Sequence, residues 1–214
     1  MTALALSLAC ALSLSAQTSP EWKILDKGNK DFQGESISFP DLVYARTKLS
    51  NGQNPPVTVL SCSDSRVPPE LVFKRSLGQI FLVRSAGNVT DSLGIASIEY
   101  ALTKKWTKLL VILAHDKCGA VEAAINGLGK PTDENRNLQA LVDKIRESFN
   151  NVPCPNPAEC WAFRTRQNAL NTIEDLKRRS PIIRKAVDVD KLPVVIGLYE
   201  LKSGKVLVWK TINN

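Results

Sequence analysis

The chain has 214 residues, of which 43% are hydrophobic and 23% charged, and it contains five cysteines and a single histidine. This length fits one domain with a sizeable core, and the composition excludes a disordered or fibrous chain. A single histidine excludes, within this chain, every metal site that needs two or three imidazoles. The net charge of +7 is spread over short basic runs without interleaved aromatic residues. We therefore interpret it as solvated surface and expect no nucleic-acid binding.

The first twenty residues differ from the rest because they carry no charged side chain. Residues 3–16 are small or apolar, and Leu14-Ser15-Ala16 resembles the cleavage site of an export signal. The alternative is a first helix whose apolar face packs on a partner, since Leu4, Leu8 and Leu12 share one side. We expect residues 1–16 to be a cleaved signal peptide. The mature protein has no further apolar run of membrane-spanning length, and we expect it to be periplasmic or secreted. Without cleavage it would be cytoplasmic.

The remaining chain alternates between strand-like and helix-like patterns. In chain order we predict a helix at 22–32, strands at 57–60 and 79–83, a helix at 92–105, a strand at 109–114, helices at 118–125, 137–149 and 161–177, and strands at 193–198 and 205–209. This alternation predicts an α/β fold, a single domain over residues 20–214 with a mostly parallel sheet flanked by helices. The short turn Ser203-Gly204 predicts that the last two strands form an antiparallel edge hairpin.

Polar and sulfur-bearing side chains follow two of the predicted strands. Cys62 comes just after the first strand, and His115 and Cys118 come after the third. Ligand sites in parallel sheets lie at the carboxyl ends of the strands, so these ends should meet. Two thiolates and one imidazole form a zinc ligand set that leaves a fourth position open. A buried Cys is on its own more often a small hydrophobic residue, but the coincidence of both strand ends favours ligation.

Asp64 and Arg66 lie beside the first candidate ligand. A carboxylate two residues from Cys62 can accept a hydrogen bond from zinc-bound water, and Arg66 can keep it ionised through a charge-assisted bond. An isolated Asp-x-Arg pair is more often an ordinary surface ion pair. Its position next to a candidate metal ligand favours the catalytic interpretation.

The two segments C-S-D-S-R-V-P-P-E at 62–70 and A-H-D-K-C-G-A-V at 114–121 resemble the paired motifs of the β-class carbonic anhydrases. The similarity extends through F-L-V-R-S-A-G-N at 81–88 and S-I-E-Y-A-L at 97–102, and covers about residues 20 to 210. The first 19 residues lie outside it, which agrees with an export signal.

The resemblance implies one Zn²⁺ per chain, bound by Cys62, His115 and Cys118, with Asp64 and Arg66 as catalytic dyad. The implied reaction is the reversible hydration of carbon dioxide to bicarbonate and a proton by zinc-bound hydroxide. It further implies a homodimer or higher homo-oligomer and a narrow substrate cleft, in which Gly119 would allow close backbone approach beside the metal. Gln53 would hydrogen-bond the substrate, across a dimer interface in one arrangement, and two aromatic side chains would wall the cleft: Phe81 and Tyr100.

The sequence departs from the family pattern at four positions: Ser85, Ala114, Asp116 and Lys117. None removes a ligand. Val59 stands where members that are closed by Asp ligation of zinc carry a Trp, so we expect the open form. The only histidine is committed to the metal, so the proton must leave through water, buffer or another side chain.

The pair Cys154 and Cys160 lies in a Pro-rich segment, and in an exported protein these two cysteines would form a disulfide. In a cytosolic protein they would stay reduced.

Three other functions are compatible with the same residues. The first is a hydrolase acting on carbon disulfide or carbonyl sulfide on the same scaffold. The second is a non-catalytic, zinc-stabilised binding protein, against which the dyad beside an open position argues. The third is a redox-sensing dithiol.

Overall fold

The computed structural model describes residues 19–34, 42–127, 132–149, 152–156 and 159–213, so the expected signal peptide at 1–16 lies outside the described residues. A five-stranded sheet in the order β2-β1-β3-β4-β5 forms the centre of the molecule. Its strands are β1 (Val57–Ser61), β2 (Ile80–Arg84), β3 (Leu109–His115), β4 (Val194–Tyr199) and β5 (Val206–Ile212). The first four are parallel, and β5 pairs antiparallel with β4. The predicted α/β class and C-terminal edge hairpin are confirmed.

Helices cover both faces of the sheet. They are α1 (Pro20–Phe32), α2 (Leu42–Leu49), α3 (Pro69–Val72), α4 (Ser92–Thr103), α5 (Gly119–Asn126), α6 (Arg136–Arg146), α7 (Cys160–Arg179) and α8 (Pro181–Arg184). A 3₁₀ turn at Ala86–Asn88 follows β2, and a π-helical segment at Lys185–Val189 extends α8. Among the described residues, no helix is both long and apolar enough to cross a membrane.

The core consists of three apolar clusters arranged around the sheet. One face of the sheet packs on α4, α7 and α8, and the other packs on α1 and α3. Every residue of β1 and β3 is buried, as expected for central parallel strands covered on both faces. The third cluster lies beyond the carboxyl ends of β1 and β3 and contains Cys62 and Cys118 together with apolar residues of α5 and α6.

The hydrophobic periodicity of the sequence does not predict three short helices. No residue of α2 is buried, so its sequence has no apolar face with helical spacing. The helices α3 and α8 have four residues each, which is too short for a helical repeat. The long elements lie where the periodicity predicts them, within a few residues at each end.

A disulfide joins Cys154 to Cys160, the first residue of α7, with the two Cα atoms 5.5 Å apart. This is the pairing that the sequence predicts.

Candidate metal centre

Three buried side chains from two strand ends converge at one edge of the sheet. Cys62 follows β1, His115 is the last residue of β3, and Cys118 caps the N-terminus of α5. Their exposed fractions are 4%, 0% and 2%, and their candidate ligand atoms all lie within 4.8 Å of one another. The strand-end argument thus places these residues correctly, and they form a group that could hold a metal ion.

The imidazole of His115 presents one particular nitrogen to the thiols. Its Nδ1 lies 2.7 Å from the backbone carbonyl oxygen of Asp116, and a carbonyl can only accept, so Nδ1 carries the proton. Nε2 is fully buried and has no hydrogen-bond partner among the described residues. A buried nitrogen with a free lone pair is costly without a partner, so this atom is arranged as a ligand. Such fixing of the tautomer by a carbonyl is common for metal-binding histidines.

The Cys62 sulfur accepts two backbone hydrogen bonds, from the N–H of Asp64 at 3.4 Å and the N–H of Gly87 at 3.3 Å. Cys118 Sγ lies 4.0 Å away. Hydrogen bonding from the Cys118 thiol, together with that from both backbone N–H groups, outweighs burial and lowers the pKa of Cys62 to about 4. The same bond raises the pKa of Cys118, since two adjacent thiolates repel. A cation between the sulfurs would relieve that repulsion.

Asp64 and Arg66 form a bidentate ion pair at the mouth of the cluster. Arg66 donates from Nε to Oδ1 at 2.9 Å and from Nη2 to Oδ2 at 2.7 Å. These bonds hold the pKa of the Asp64 carboxyl well below its usual range, although burial acts in the opposite direction. Asp64 Oδ2 also lies 3.8 Å from His115 Nε2. The dyad therefore presents an ionised acceptor beside the candidate ligands.

A third strand end contributes contacts that the sequence interpretation missed. Arg84, the last residue of β2, donates from Nε to the carbonyl of Cys62 at 3.0 Å and from Nη2 to the carbonyl of Asp64 at 2.7 Å. The guanidinium thus holds the loop that carries both a candidate ligand and the acid. The signal was present, because Arg84 ends the neighbouring parallel strand at the same edge as Ser61.

Gly119, the first residue of α5, is exposed, and a Cβ there would meet no described atom within 4 Å. A side chain at this position would therefore meet no steric obstacle among the described residues.

The three residues that we expect to line the substrate cleft do not lie beside the candidate metal ligands. Phe81 pairs in register with Thr58, whereas Arg84 pairs with Ser61, so Phe81 is three residues, or roughly 10 Å, from the metal-side end of its strand. The Tyr100 ring lies 6.4 Å from Phe81 and 5.4 Å from Trp106. Gln53 is exposed and precedes β1. All three thus lie towards the amino ends of the strands, away from the candidate ligands of the same chain.

Comparisons with known proteins agree with this geometry. The family model for carbonic anhydrase matches residues 57–206. The chain is 33% identical over 194 residues to carbonic anhydrase 2 of Mycobacterium tuberculosis, covering 90% of this chain and 93% of that protein. It is 32% identical over 186 residues to a carbonic anhydrase of Mycolicibacterium smegmatis, covering 86% and 90% of the two chains.

Solved structures give the same result for the fold. The β-carbonic anhydrase CafA of Aspergillus fumigatus superposes with a TM-score of 0.66 at 25% identity, covering 78% of this chain and 81% of that one. The Coccomyxa β-carbonic anhydrase in complex with acetazolamide gives a TM-score of 0.68 at 22% identity, covering 78% of each chain. Similar structures also include two β-carbonic anhydrases of Sordaria macrospora that are described as tetrameric, with a TM-score of 0.63 at 24% identity over 76% of this chain and 84% of the matched one.

Proposed function

This chain belongs to the β class of the carbonic anhydrase family, and we propose that it hydrates carbon dioxide reversibly to bicarbonate and a proton with one zinc ion held by Cys62, His115 and Cys118. The observation that carries this proposal is the buried Nε2 of His115, which has no hydrogen-bond partner among the described residues and lies beside two thiols from a second strand end and a helix N-terminus. A purely structural packing of these residues leaves that nitrogen unexplained.

The donor set fits zinc. With bond lengths of about 2.3 Å to sulfur and about 2.0 Å to nitrogen, ligand atoms in a zinc tetrahedron lie roughly 3.5–3.8 Å apart. The two sulfurs are 4.0 Å apart and all three ligand atoms lie within 4.8 Å of one another, so inward movements of up to about 1 Å would close the set on the ion. Two thiolates and one imidazole leave the fourth position open, as catalytic zinc sites do. When bound, zinc supplies the Lewis acidity that makes water nucleophilic near neutral pH.

Asp64 and Arg66 would orient that water. Because Arg66 keeps the Asp64 carboxyl ionised, the carboxylate can only accept hydrogen bonds, so it would fix the direction of the water's lone pair towards carbon dioxide. Both carboxylate oxygens bind Arg66, which supports the open form, in which Asp64 holds water rather than the metal. Arg84 would keep this loop in place through the carbonyls of Cys62 and Asp64.

We further propose that Gln53, Phe81 and Tyr100 complete the zinc site of a second copy of the chain. Their distance from the ligands of their own chain supports this arrangement. So does the exposed apolar surface around the edge strand β2, where Leu42, Leu77 and Leu93 are 46%, 50% and 77% exposed. Apolar patches of this kind mark interaction sites, and a two-fold dimer would supply each cleft from both chains. Gly119 would line the same cleft from the metal side.

The released proton needs a path that uses no second histidine, since the chain has only one. We propose that turnover is limited by buffer at low buffer concentration. A rate that is indifferent to buffer would contradict this step.

Export from the cytoplasm completes the proposal. The Cys154–Cys160 disulfide supports it, because such bonds persist in oxidising compartments. Determining the N-terminal residue of the protein purified from its natural host tests the predicted cleavage after residue 16.

The decisive experiment measures zinc content and carbon dioxide hydration for the wild type and for Asp64→Ala. We expect one zinc per chain in both proteins and a roughly hundredfold lower rate in the variant, the size of effect that misplacing a reactant can have. The matched control is Asp143→Ala, which removes another ion-paired carboxylate, bonded to Arg146 on α6, and should keep full activity. Full activity in Asp64→Ala would refute the mechanism, and turnover of carbonyl sulfide or carbon disulfide alone would reassign the substrate.

A further inference from the structure

Side chains on one face of α7 form hydrogen bonds with the backbone segment that follows β2, and this segment reaches the candidate metal centre. Two side chains of this helix donate hydrogen bonds to carbonyls after β2: Asn168 to Gly87 at 2.7 Å and Arg179 to Thr90 at 2.8 Å. Between them lies Thr172, whose hydroxyl donates to the Asn168 carbonyl at 2.9 Å and accepts from the Asn88 side-chain amide at 3.5 Å. Asn168 is the most deeply buried of the three, with 1% of its surface exposed. Buried polar side chains are retained where they satisfy specific partners, and here the partner is the turn beside Cys62.

Gly87 is the residue at which this segment touches the cluster. Its φ of +69° lies in the left-handed region, and a Cβ there would come within 2.6 Å of the Ile145 side chain. Glycine alone tolerates both conditions. This turn aims the Gly87 N–H at Cys62 Sγ, 3.3 Å away.

The two hydrogen bonds of Gly87 are mechanically linked. Its carbonyl belongs to one peptide plane and its N–H to the preceding plane, and the φ and ψ of Gly87 set the angle between them. Because glycine leaves these dihedral angles soft, the bond from Asn168 to the carbonyl restricts the direction in which the N–H points. Without it, the turn could rotate and the N–H could leave the sulfur.

We propose that Asn168 is a positioning residue, which holds the Gly87 N–H on Cys62 Sγ and thereby raises the affinity of the cluster for its metal. This inference rests on the proposed function at one point, the role of Cys62 as a metal ligand. Groups that orient ligands from outside the coordination sphere typically change metal affinity 10- to 100-fold. Asn168 acts through Gly87 and does not touch the metal, the substrate or the dyad.

The test replaces Asn168 by leucine, which has a similar volume and no donor, and measures zinc affinity by competition with a chromophoric chelator. We expect affinity to fall by about tenfold or more. In cobalt-substituted protein we also expect the thiolate-to-metal charge-transfer band to shift, because Cys62 loses a hydrogen bond. The matched control is Thr165→Val on the same helix, which is 2% exposed and loses a hydrogen bond only to Trp161 within α7. The control should leave affinity and spectrum unchanged.

Two results overturn the inference. The first is a variant with wild-type zinc affinity and cobalt spectrum. The second is an equal loss in Thr165→Val, which would show that any damage to α7 has the same effect.

Should Asn168→Leu fail to fold, Asn168→Ala takes its place. Wild-type protein loaded with cadmium-113 provides a further test that needs no variant. Scalar coupling between the Gly87 amide proton and cadmium is expected across the N–H···S bond, and its absence contradicts the proposed contact. A wild type that binds no metal refutes the proposed function itself, whereas a metal-loaded, active wild type with an indifferent Asn168 variant refutes only this inference.

Discussion

Two ends of the same sheet differ in how completely one chain builds them. The metal end, formed by Cys62, His115 and Cys118, is buried, and its side chains are held by backbone groups of the same chain. The aromatic end, formed by Phe81, Tyr100 and Trp106, lies on the edge strand β2 and on α4 and its following loop, and Tyr100 is 48% exposed. The residues of the first end are brought together within a single chain, whereas the second end presents aromatic surface to the outside.

This difference separates two requirements of a small-molecule hydration site. Metal ligands must be preorganised to sub-ångström tolerance, which contacts within one rigid chain achieve best. A cleft for an apolar gas needs only apolar walls that exclude water, and a partner's surface can supply these. We therefore expect substitutions at the metal end to act within their own chain and substitutions at the aromatic end to act on another chain.

The largest expected effect is the loss of metal from Cys62→Ser. A serine hydroxyl is a poor zinc ligand at neutral pH, so we expect metal content to fall from one ion per chain to none, measured by elemental analysis. The control is the double variant Cys154→Ser and Cys160→Ser, which removes the other two cysteines of the described chain and should keep full metal content. Retention of zinc in Cys62→Ser would show that the metal end is not the binding site.

The second prediction tests which chain each end serves. Gln53→Ala and Asp64→Asn should each lower the rate of carbon dioxide hydration by at least about tenfold, since each removes a group that positions substrate or water. Co-expression of the two variants with different tags yields mixed oligomers that carry one of each chain. If Gln53 serves its partner, one site in the mixed dimer contains neither defect, and about half of the wild-type activity returns by symmetry.

The opposite result is equally clear. If Gln53 serves its own chain, every site in the mixed oligomer carries one defect, and activity stays at the level of the single variants. Remixing each variant with itself under the same conditions controls for losses during purification.

The metal end was predictable from sequence because each of its residues lies at or just after the end of a predicted strand. Cys62, His115 and Cys118 each follow a buried apolar run, and parallel strands bring those ends together. Arg84 could have been found by the same argument, since it ends the next parallel strand. Asn168 could not, because its contact with Gly87 joins residues 81 positions apart and leaves no pattern in the helix that carries it.

The aromatic end was predictable only as a set of residue types. The similarity to a family named Gln53, Phe81 and Tyr100, but it did not show that they lie at the opposite end of the sheet from Cys62. That position follows from the register of β2 against β1, which an apolar run in the sequence does not specify. Likewise α2 buries none of its residues, so its sequence carries no pattern of buried positions that would predict a helix.

The third prediction concerns the ion-pair network that braces α7 behind the metal end. Asp175 is 6% exposed and pairs with Lys144 of α6 and with Arg178 and Arg179 of its own helix. Burial alone would raise the pKa of its carboxyl, but the bonds to Lys144 and Arg179 outweigh burial and hold it below its ordinary value of 3.8. A carboxyl with a lowered pKa stabilises the fold above its unfolded-state pKa, and that contribution is lost as the pH falls further.

We therefore expect Asp175→Asn to lower the free energy of unfolding by about 2–3 kcal/mol at pH 7, because the buried carboxylate loses its charge-assisted bonds to Lys144, Arg178 and Arg179. The variant should also lose less stability than the wild type when the pH falls below about 4. Chemical denaturation at several pH values measures both effects. Asp143→Asn, whose side chain is 53% exposed, serves as control and should change stability by less than about 1 kcal/mol. Equal losses in the two variants would contradict the bracing role.

The smallest expected effect is that of reducing the disulfide at the start of α7. The bond spans a sequence separation of 6, and closing so short a loop restricts the unfolded chain by only about 2 kcal/mol. Mass measurement should show two added hydrogens on reduction, and denaturation with a phosphine reductant should show that loss of stability, with no effect of the reductant on the double cysteine-to-serine variant. Metal content should not change, because Arg84 and Gly87 hold the ligand loop from β2 and the turn that follows it. Loss of metal on reduction would show that the metal end depends on the start of α7 as well, and that the strand ends alone are not sufficient to preorganise it.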